Sequence, residues 1–356
     1  MQTQQRILSL DFFRGITMFL LVAETTGLYH ILDWEQFHHH SWNGLRFWDL
    51  IQPFFMFIVG VAMPLSLSGR EKKGVTYKQN WKHILKRCFM LLLMGAGIQC
   101  AYSRKLVWEL WNVLAQLSVT ILITYAVIKL NVRWQLLISL LLLLITDLVY
   151  RFFPLEGFNH PFVKDENFGT WMDLVLMEKI NPGGGWVAIN CIPTAAHTIW
   201  GAIAGIFLFD KSRNHMTKLK YISLWGIIFL AVGYTMDLTG FCPIIKRIST
   251  ASFVFASGGW ALLTLAFCFW LIDMKKQTKI VTPFAIVGMN SILIYLLTQT
   301  VGAQWFNQFV GIFTGGFLQI AGFNDFISGL ITALVVLFLE WTFCWYLYKK
   351  SIFIKI

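Results

Sequence analysis

Apolar runs long enough to cross a bilayer recur along almost the whole chain, and they restrict its architecture more than any other feature. A hydrocarbon core about 30 Å thick is spanned by about 20 mostly apolar helical residues, with a range of about 17–25. About ten stretches meet that need: 12–31, 48–68, 88–103, 109–128, 134–152, 186–208, 220–236, 251–272, 281–300 and 328–347. The third is short, and the fourth opens on Trp108, Glu109 and Trp111. A further stretch, 304–323, is apolar but Gly-rich and reads as a re-entrant or interfacial segment. Too little chain remains for a soluble domain. The expected fold is therefore an all-α polytopic membrane protein, about ten transmembrane helices in one bundle, with residues 1–356 as a single domain. The chain is only 13% charged, whereas soluble globular proteins carry about a quarter, so the composition agrees.

The formal charge of +11 has two explanations, a nucleic-acid partner or an orientation signal, and they differ in where the charges sit. If Met1 is cytoplasmic, 21 of the 29 Lys and Arg residues fall on that side, from Arg6 and Arg14 through Arg70, Lys72 and Lys73 to Lys355. Eight fall opposite: Arg46, Arg104, Lys105, Arg151, Lys164, Lys179, Lys246 and Arg247. Such asymmetry is what the positive-inside rule requires. Both termini are thus expected in the cytoplasm, and the charge reflects a lipid bilayer and no nucleic acid. The first apolar stretch lacks a small-residue cleavage site and reads as a retained helix. The six cysteines form no CxxC pair and lie mostly in apolar runs, so no metal or redox site is expected.

Polar chemistry concentrates in the loop after the first span, Trp34-Glu35-Gln36-Phe37-His38-His39-His40-Ser41-Trp42-Asn43-Gly44, followed by Asp49 at the mouth of the next. A solvated loop is the plain reading of three histidines, and adjacent side chains diverge too far to share a metal. The other reading is catalytic. Imidazole is the commonest general base, and Asp49 is placed to fix its tautomer. Asn43 and the mid-span Asn290-Ser291 are candidate donors to an oxyanion. Lys246 and Arg247 run against the charge trend, either snorkelling at the interface or holding an anionic group. Charges inside spans are costly: Glu24 reads as facing a polar cavity or pairing in the bundle, while Asp147 and Glu340, near span ends, read as structural. Arg14 can pair with Asp11 at i,i+3, or meet a phosphate.

Three blocks carry a family resemblance. The first is Leu10-Asp11-Phe12-Phe13-Arg14-Gly15, then His39-x-Ser41-Trp42-Asn43-Gly44, then Asp49-Leu50-Ile51-x-Pro53-x-Phe55-x-Phe57-Ile58-x-Gly60. The second is Pro243-Ile244-x-Lys246-x-Ile248-x-Thr250-x-Ser252-Phe253-Val254 with Gly258-Gly259-Trp260, and the third Gly288-Met289-Asn290-Ser291-Ile292-x-Ile294-Tyr295. Together they resemble the heparan-α-glucosaminide N-acetyltransferase family of membrane acetyltransferases. Against that family, the chain is expected to be a member without the lumenal domain that precedes the bundle in the animal enzyme, and Gln116 stands where relatives tend to have Arg.

The resemblance implies transfer of acetyl from cytoplasmic acetyl-CoA, as donor substrate and without a metal, to an amino sugar across the membrane. It places the family's essential histidine at His39, as general base or transient acetyl carrier, with Asn43 and Asp49 beside it. Arg14, Lys246, Asn290 and Ser291 are then expected toward the donor, and Glu24, Trp42 and Arg247 toward the acceptor. A multi-pass location in a bacterial inner membrane and a homodimer also follow from it. The contrasting expectation is an amino-sugar transporter without acetyl transfer, although no internal repeat supports one.

Overall fold

The computed structural model describes residues 7–354; Arg6 and Lys355, counted above on the cytoplasmic side, lie outside the described residues. Within them the chain is helical, with no strand beyond an isolated bridge. In chain order the helices are α1 (Leu8–Thr25), α2 (Leu28–Leu32), α3 (Ile51–Glu71), α4 (Tyr77–Ser103), α5 (Val113–Val127), α6 (Val132–Phe152) and α7 (Phe168–Met177). After these come α8 (Cys191–Phe209), α9 (His215–Leu238), α10 (Ala251–Cys268), α11 (Val281–Met289), α12 (Ser291–Leu297), α13 (Asn307–Ile320) and α14 (Asp325–Lys349). A helix satisfies its own backbone, which lipid requires. Asn side chains cap α5, α7, α9 and α14: those of Asn112, Asn167, Asn214 and Asn324 accept from Leu114, Thr170, Thr217 and Ile327 backbone N–H groups.

Seven helices among the described residues are long and apolar enough to cross a membrane, and a bent pair makes up to eight. The expectation of about ten is higher for two reasons. α1 carries Asp11, Arg14 and Glu24 within its 18 residues, and α5 has only 15. The short third stretch extends back to Tyr77, because its basic residues continue the helix. The ninth stretch is broken at Asn290, with a bend of 64° between Thr278–Met289 and Ser291–Ile320. The Gly-rich residues expected to form a separate segment continue that second arm, through a π-helix at Thr298–Phe306.

The described chain divides into two compact units. The first holds residues 39–97 and 107–267, and its centre is the pair α3 and α8. These two approach so closely that a Cβ on Gly60 would lie 2.0 Å from the Thr198 carbonyl oxygen, and one on Gly201 would lie 2.1 Å from that of Phe57. Small residues permit such contact between membrane helices, where dispersion replaces the hydrophobic effect as the driving force. Trp200 ties α8 to α6 by donating to the Ser139 hydroxyl at 2.9 Å, and His197 meets the Ser257 hydroxyl on α10 at 2.8 Å. In the second unit, Gly15 of α1 gives the same close approach to Phe284 of α11.

The α3–α8 contact has a direct test. Gly201→Ala must push the two helices apart, at about 1–3 kcal/mol for overpacking, and so lower the Tm of the purified protein in detergent; an unchanged Tm contradicts this packing.

Candidate functional site

Three loops of the first unit converge around His39. In the first, Asn43 forms an antiparallel bridge with Ile245, and Gly44 donates from its backbone to the Ile244 carbonyl at 2.8 Å. Gly44 has φ 130° and lies against the His40 ring, so only glycine suits this position. The second loop, Pro243 to Thr250, is stapled by one hydroxyl: Thr250 Oγ1 donates to the Pro243 carbonyl at 2.8 Å and accepts from Ile245 N at 3.0 Å. Asp237 at the end of α9 holds it from below, accepting from Ile244 N at 2.8 Å. The third loop contains Gly183 to Val187, and Val187 packs with Tyr150, Ile245 and Ile248 in a small core that Trp42 covers.

At the centre stands a charged cluster. His39 Nδ1 lies 3.0 Å from Asp49 Oδ1, and Lys246 Nζ lies 3.1 Å from the same nitrogen and 3.4 Å from the same carboxylate oxygen. Asp49 Oδ2 accepts from the backbone N–H groups of Arg46 at 3.0 Å and His40 at 3.2 Å. Asp49 is 1% exposed and Lys246 5%, while the His39 side chain keeps 36% of its exposure. An ammonium has donors only, and the carboxylate is an acceptor. The consistent arrangement gives Nδ1–H to Asp49, lets Lys246 donate to Asp49, and leaves the lone pair on Nε2. Trp186 closes the cluster: its ring meets the His39 ring edge-on at 5.7 Å and carries Lys246 Nζ and the Arg247 guanidinium, each 5.2 Å from a ring centre.

Burial, reinforced by the charges of Lys246 and Arg247, pushes the imidazolium of His39 down to about 4, against the opposing pull of Asp49. The ring is thus neutral at physiological pH. Arg247 is held over the loop by donating to the carbonyls of Gly183 at 3.0 Å and His40 at 3.5 Å. Gly184, at φ 120°, makes room for it, since a Cβ there would lie 2.0 Å from the guanidinium.

A polar ladder descends from this cluster. Asn190 donates to the Arg247 carbonyl at 3.3 Å and accepts from the Gln116 amide, whose oxygen in turn accepts from Gln52. Gln116 is 3% exposed. It joins α3, α5 and the turn before α8 to the Lys246 loop. Sequence reasoning marked Gln116 only as a departure from relatives and missed Gln52 and Asn190. An amide inside an apolar span was the available signal.

The other expected site residues divide. Trp42 donates its indole N–H to the Phe162 carbonyl at 2.7 Å and acts as a wedge between loops. Asn43 is exposed, and it joins the site through its backbone bridge. Arg14, Glu24, Asn290 and Ser291 belong to the second unit. There Arg14 pairs with Asp11 at 2.9 Å, and Glu24 acts electrostatically on Tyr29 and Tyr102. Asn290 spends its amide on the C-terminal segment, donating to the Ile352 carbonyl at 2.9 Å and accepting from Ile354 N at 3.0 Å. Ser291 opens α12. His38 faces Asp33 at 3.2 Å, while His40, expected in a solvated loop, packs its ring on Gly44.

Comparison with known proteins fits this geometry. The family described as heparan-alpha-glucosaminide N-acetyltransferase, catalytic, matches residues 6–233. The mouse heparan-alpha-glucosaminide N-acetyltransferase is 23% identical over 416 residues, covering 99% of this chain and 60% of its own length. The human protein of the same name is 26% identical over 360 residues, covering 82% of this chain and 52% of its own. The chain thus spans between half and two thirds of the curated relatives it matches. With the family match running through most of its length, and through His39 and Asp49, the chain belongs to the heparan-alpha-glucosaminide N-acetyltransferase family.

Proposed function

We propose that the chain is a membrane-embedded acetyltransferase that moves acetyl from cytoplasmic acetyl-CoA to an amino sugar or glycan on the opposite side, with His39 as general base. The observation that carries this is the geometry of His39, whose Nδ1 lies 3.0 Å from buried Asp49 and 3.1 Å from the Lys246 ammonium. The relatives' names support an acetyltransferase, and the name heparan glucosaminide supports an amino-sugar acceptor. The excess of basic residues on one side supports both termini inside, which would set the His39 loop across the membrane from CoA.

The chemistry follows from the nitrogen left free. The acceptor amine attacks the thioester carbonyl, forming a C–N bond and an oxyanion, and collapse breaks the C–S bond to release CoA. Once bonded to the acetyl carbon, the ammonium nitrogen becomes strongly acidic. A weak base then suffices, and Nε2 takes the proton while Asp49 stabilises the imidazolium and later lets it pass to the departing thiolate. A hydroxyl acceptor needs its proton removed earlier, by a stronger base. A weakly basic His39 meets the smaller demand of an amine acceptor. The cations Lys246 and Arg247 give the site a positive field that favours the oxyanion.

Mixing the purified protein with labelled acetyl-CoA and glucosamine is expected to give N-acetylglucosamine, and His39→Ala to lose about 10²–10⁴ in rate. No transfer to any sugar amine overturns the proposal, and sugar uptake by proteoliposomes without acetyl-CoA supports a transporter. Asp49→Asn, which disrupts the tautomer, is expected to lower kcat by about 10³ or more. Lys246→Met removes a charge that penalises imidazolium, so the acid limb of kcat moves to higher pH than in wild type. A downward or absent shift contradicts the assigned role of Lys246.

A further inference from the structure

In the second unit, Glu340 lies on α14 and is 2% exposed. Neither of its carboxylate oxygens has a hydrogen-bond donor, and no cationic side chain among the described residues pairs with it. It was expected to be a structural charge near a span end; the structure instead buries it unpaired. An isolated carboxylate in this setting costs several kcal/mol, and ionisable groups within the membrane mark ion or proton sites.

Two other oxygens approach the same point beside Gly302. Gly302 sits in the π-helix at Thr298–Phe306, and the three atoms nearest the position of a Cβ there are Glu340 Oε1 at 3.0 Å, Asn307 Oδ1 at 3.7 Å and the Leu297 carbonyl oxygen at 3.7 Å. Asn307 is fixed in orientation, because its Nδ2 donates to the Thr25 carbonyl at 2.5 Å. Its Oδ1 is buried and, like Glu340, reached by no donor. Acceptors gathered within 3.7 Å of one point repel each other unless a positive charge lies among them. π-Helical turns and broken membrane helices are where proteins supply backbone carbonyls to such charges.

We propose that Glu340, Asn307 and the Leu297 carbonyl form an intramembrane site for a small cation, a proton or sodium. A single carboxylate does not suit calcium or magnesium, which gather several oxygens or retain water. The elements packed against α14 include α1, α2, α11 and α13. α11, α13 and the π-helix carry no titratable side chain. α1 carries Asp11, Arg14 and Glu24, and α2 carries Tyr29 and His30; none of them bonds to Glu340. On α14 itself the titratable groups are Cys344, one turn on, and Asp325, Tyr346, Tyr348 and Lys349.

The test compares the thermal stability of the full chain in detergent, wild type against the neutral isostere Glu340→Gln, across pH and in sodium against potassium chloride. A cation bound only to the folded state raises Tm by mass action. If the ligand is a proton, wild type loses Tm as pH rises, Glu340→Gln loses less, and infrared spectra show a protonated carboxyl band absent from the variant. If it is sodium, wild type gains Tm in sodium over potassium and the variant does not. Parallel curves for the two proteins in both series overturn the proposal. Should the variant not accumulate, wild type alone decides: no sodium response and no protonated carboxyl band overturn it too.

Discussion

The ion pair between Asp49 and Lys246 holds the imidazole beside it, and the loops of the first unit converge on that pair. Removing two charges from water costs several kcal/mol for each ion. The site offsets this with a full set of partners for Asp49: two backbone N–H groups, the His39 ring and the Lys246 ammonium. Lys246 in turn lies over Trp186. The result is electrostatically asymmetric. Asp49 orients the ring, while the ring's burial, reinforced by Lys246 and Arg247, keeps it unprotonated. A neutral, oriented imidazole that remains partly exposed is ready to accept a proton without first losing one.

Its supports are ordered in a hierarchy. The tight glycine contacts of α3 and α8 give a rigid base. The Gln52–Gln116–Asn190 ladder rises from that base to the Arg247 carbonyl and so fixes the loop that delivers Lys246. The backbone bridge from Asn43 to Ile245 then joins this loop to the one that carries His39. Residues separated by 207 positions in the chain thus meet within hydrogen-bond distance.

The helices themselves were legible in the sequence because apolar length is a one-dimensional property. Their number was less so: α1 and α5 are helical, but charge in one and shortness in the other separate them from the seven clear spans. At the site, His39 and Asp49 could be read as a pair because only ten positions separate them. The role of Lys246 could not, since it depends on a loop closed by Thr250 and a bridge to Asn43. Trp186 lies on a third loop, and only the fold shows the cations stacked on its ring. Asn290 shows the converse: a polar residue inside an apolar run suggested chemistry, but its amide secures a helix break to the C-terminal segment.

The central claim concerns one ring, so the most direct measurement is the ¹⁵N spectrum of the histidine-labelled protein as a function of pH, with His39 assigned by its loss in His39→Ala. The account predicts a neutral ring protonated on Nδ1 throughout the physiological range, with protonation only as pH falls to about 4. Titration near the ordinary histidine value of about 6.5, or a proton resident on Nε2, would contradict it.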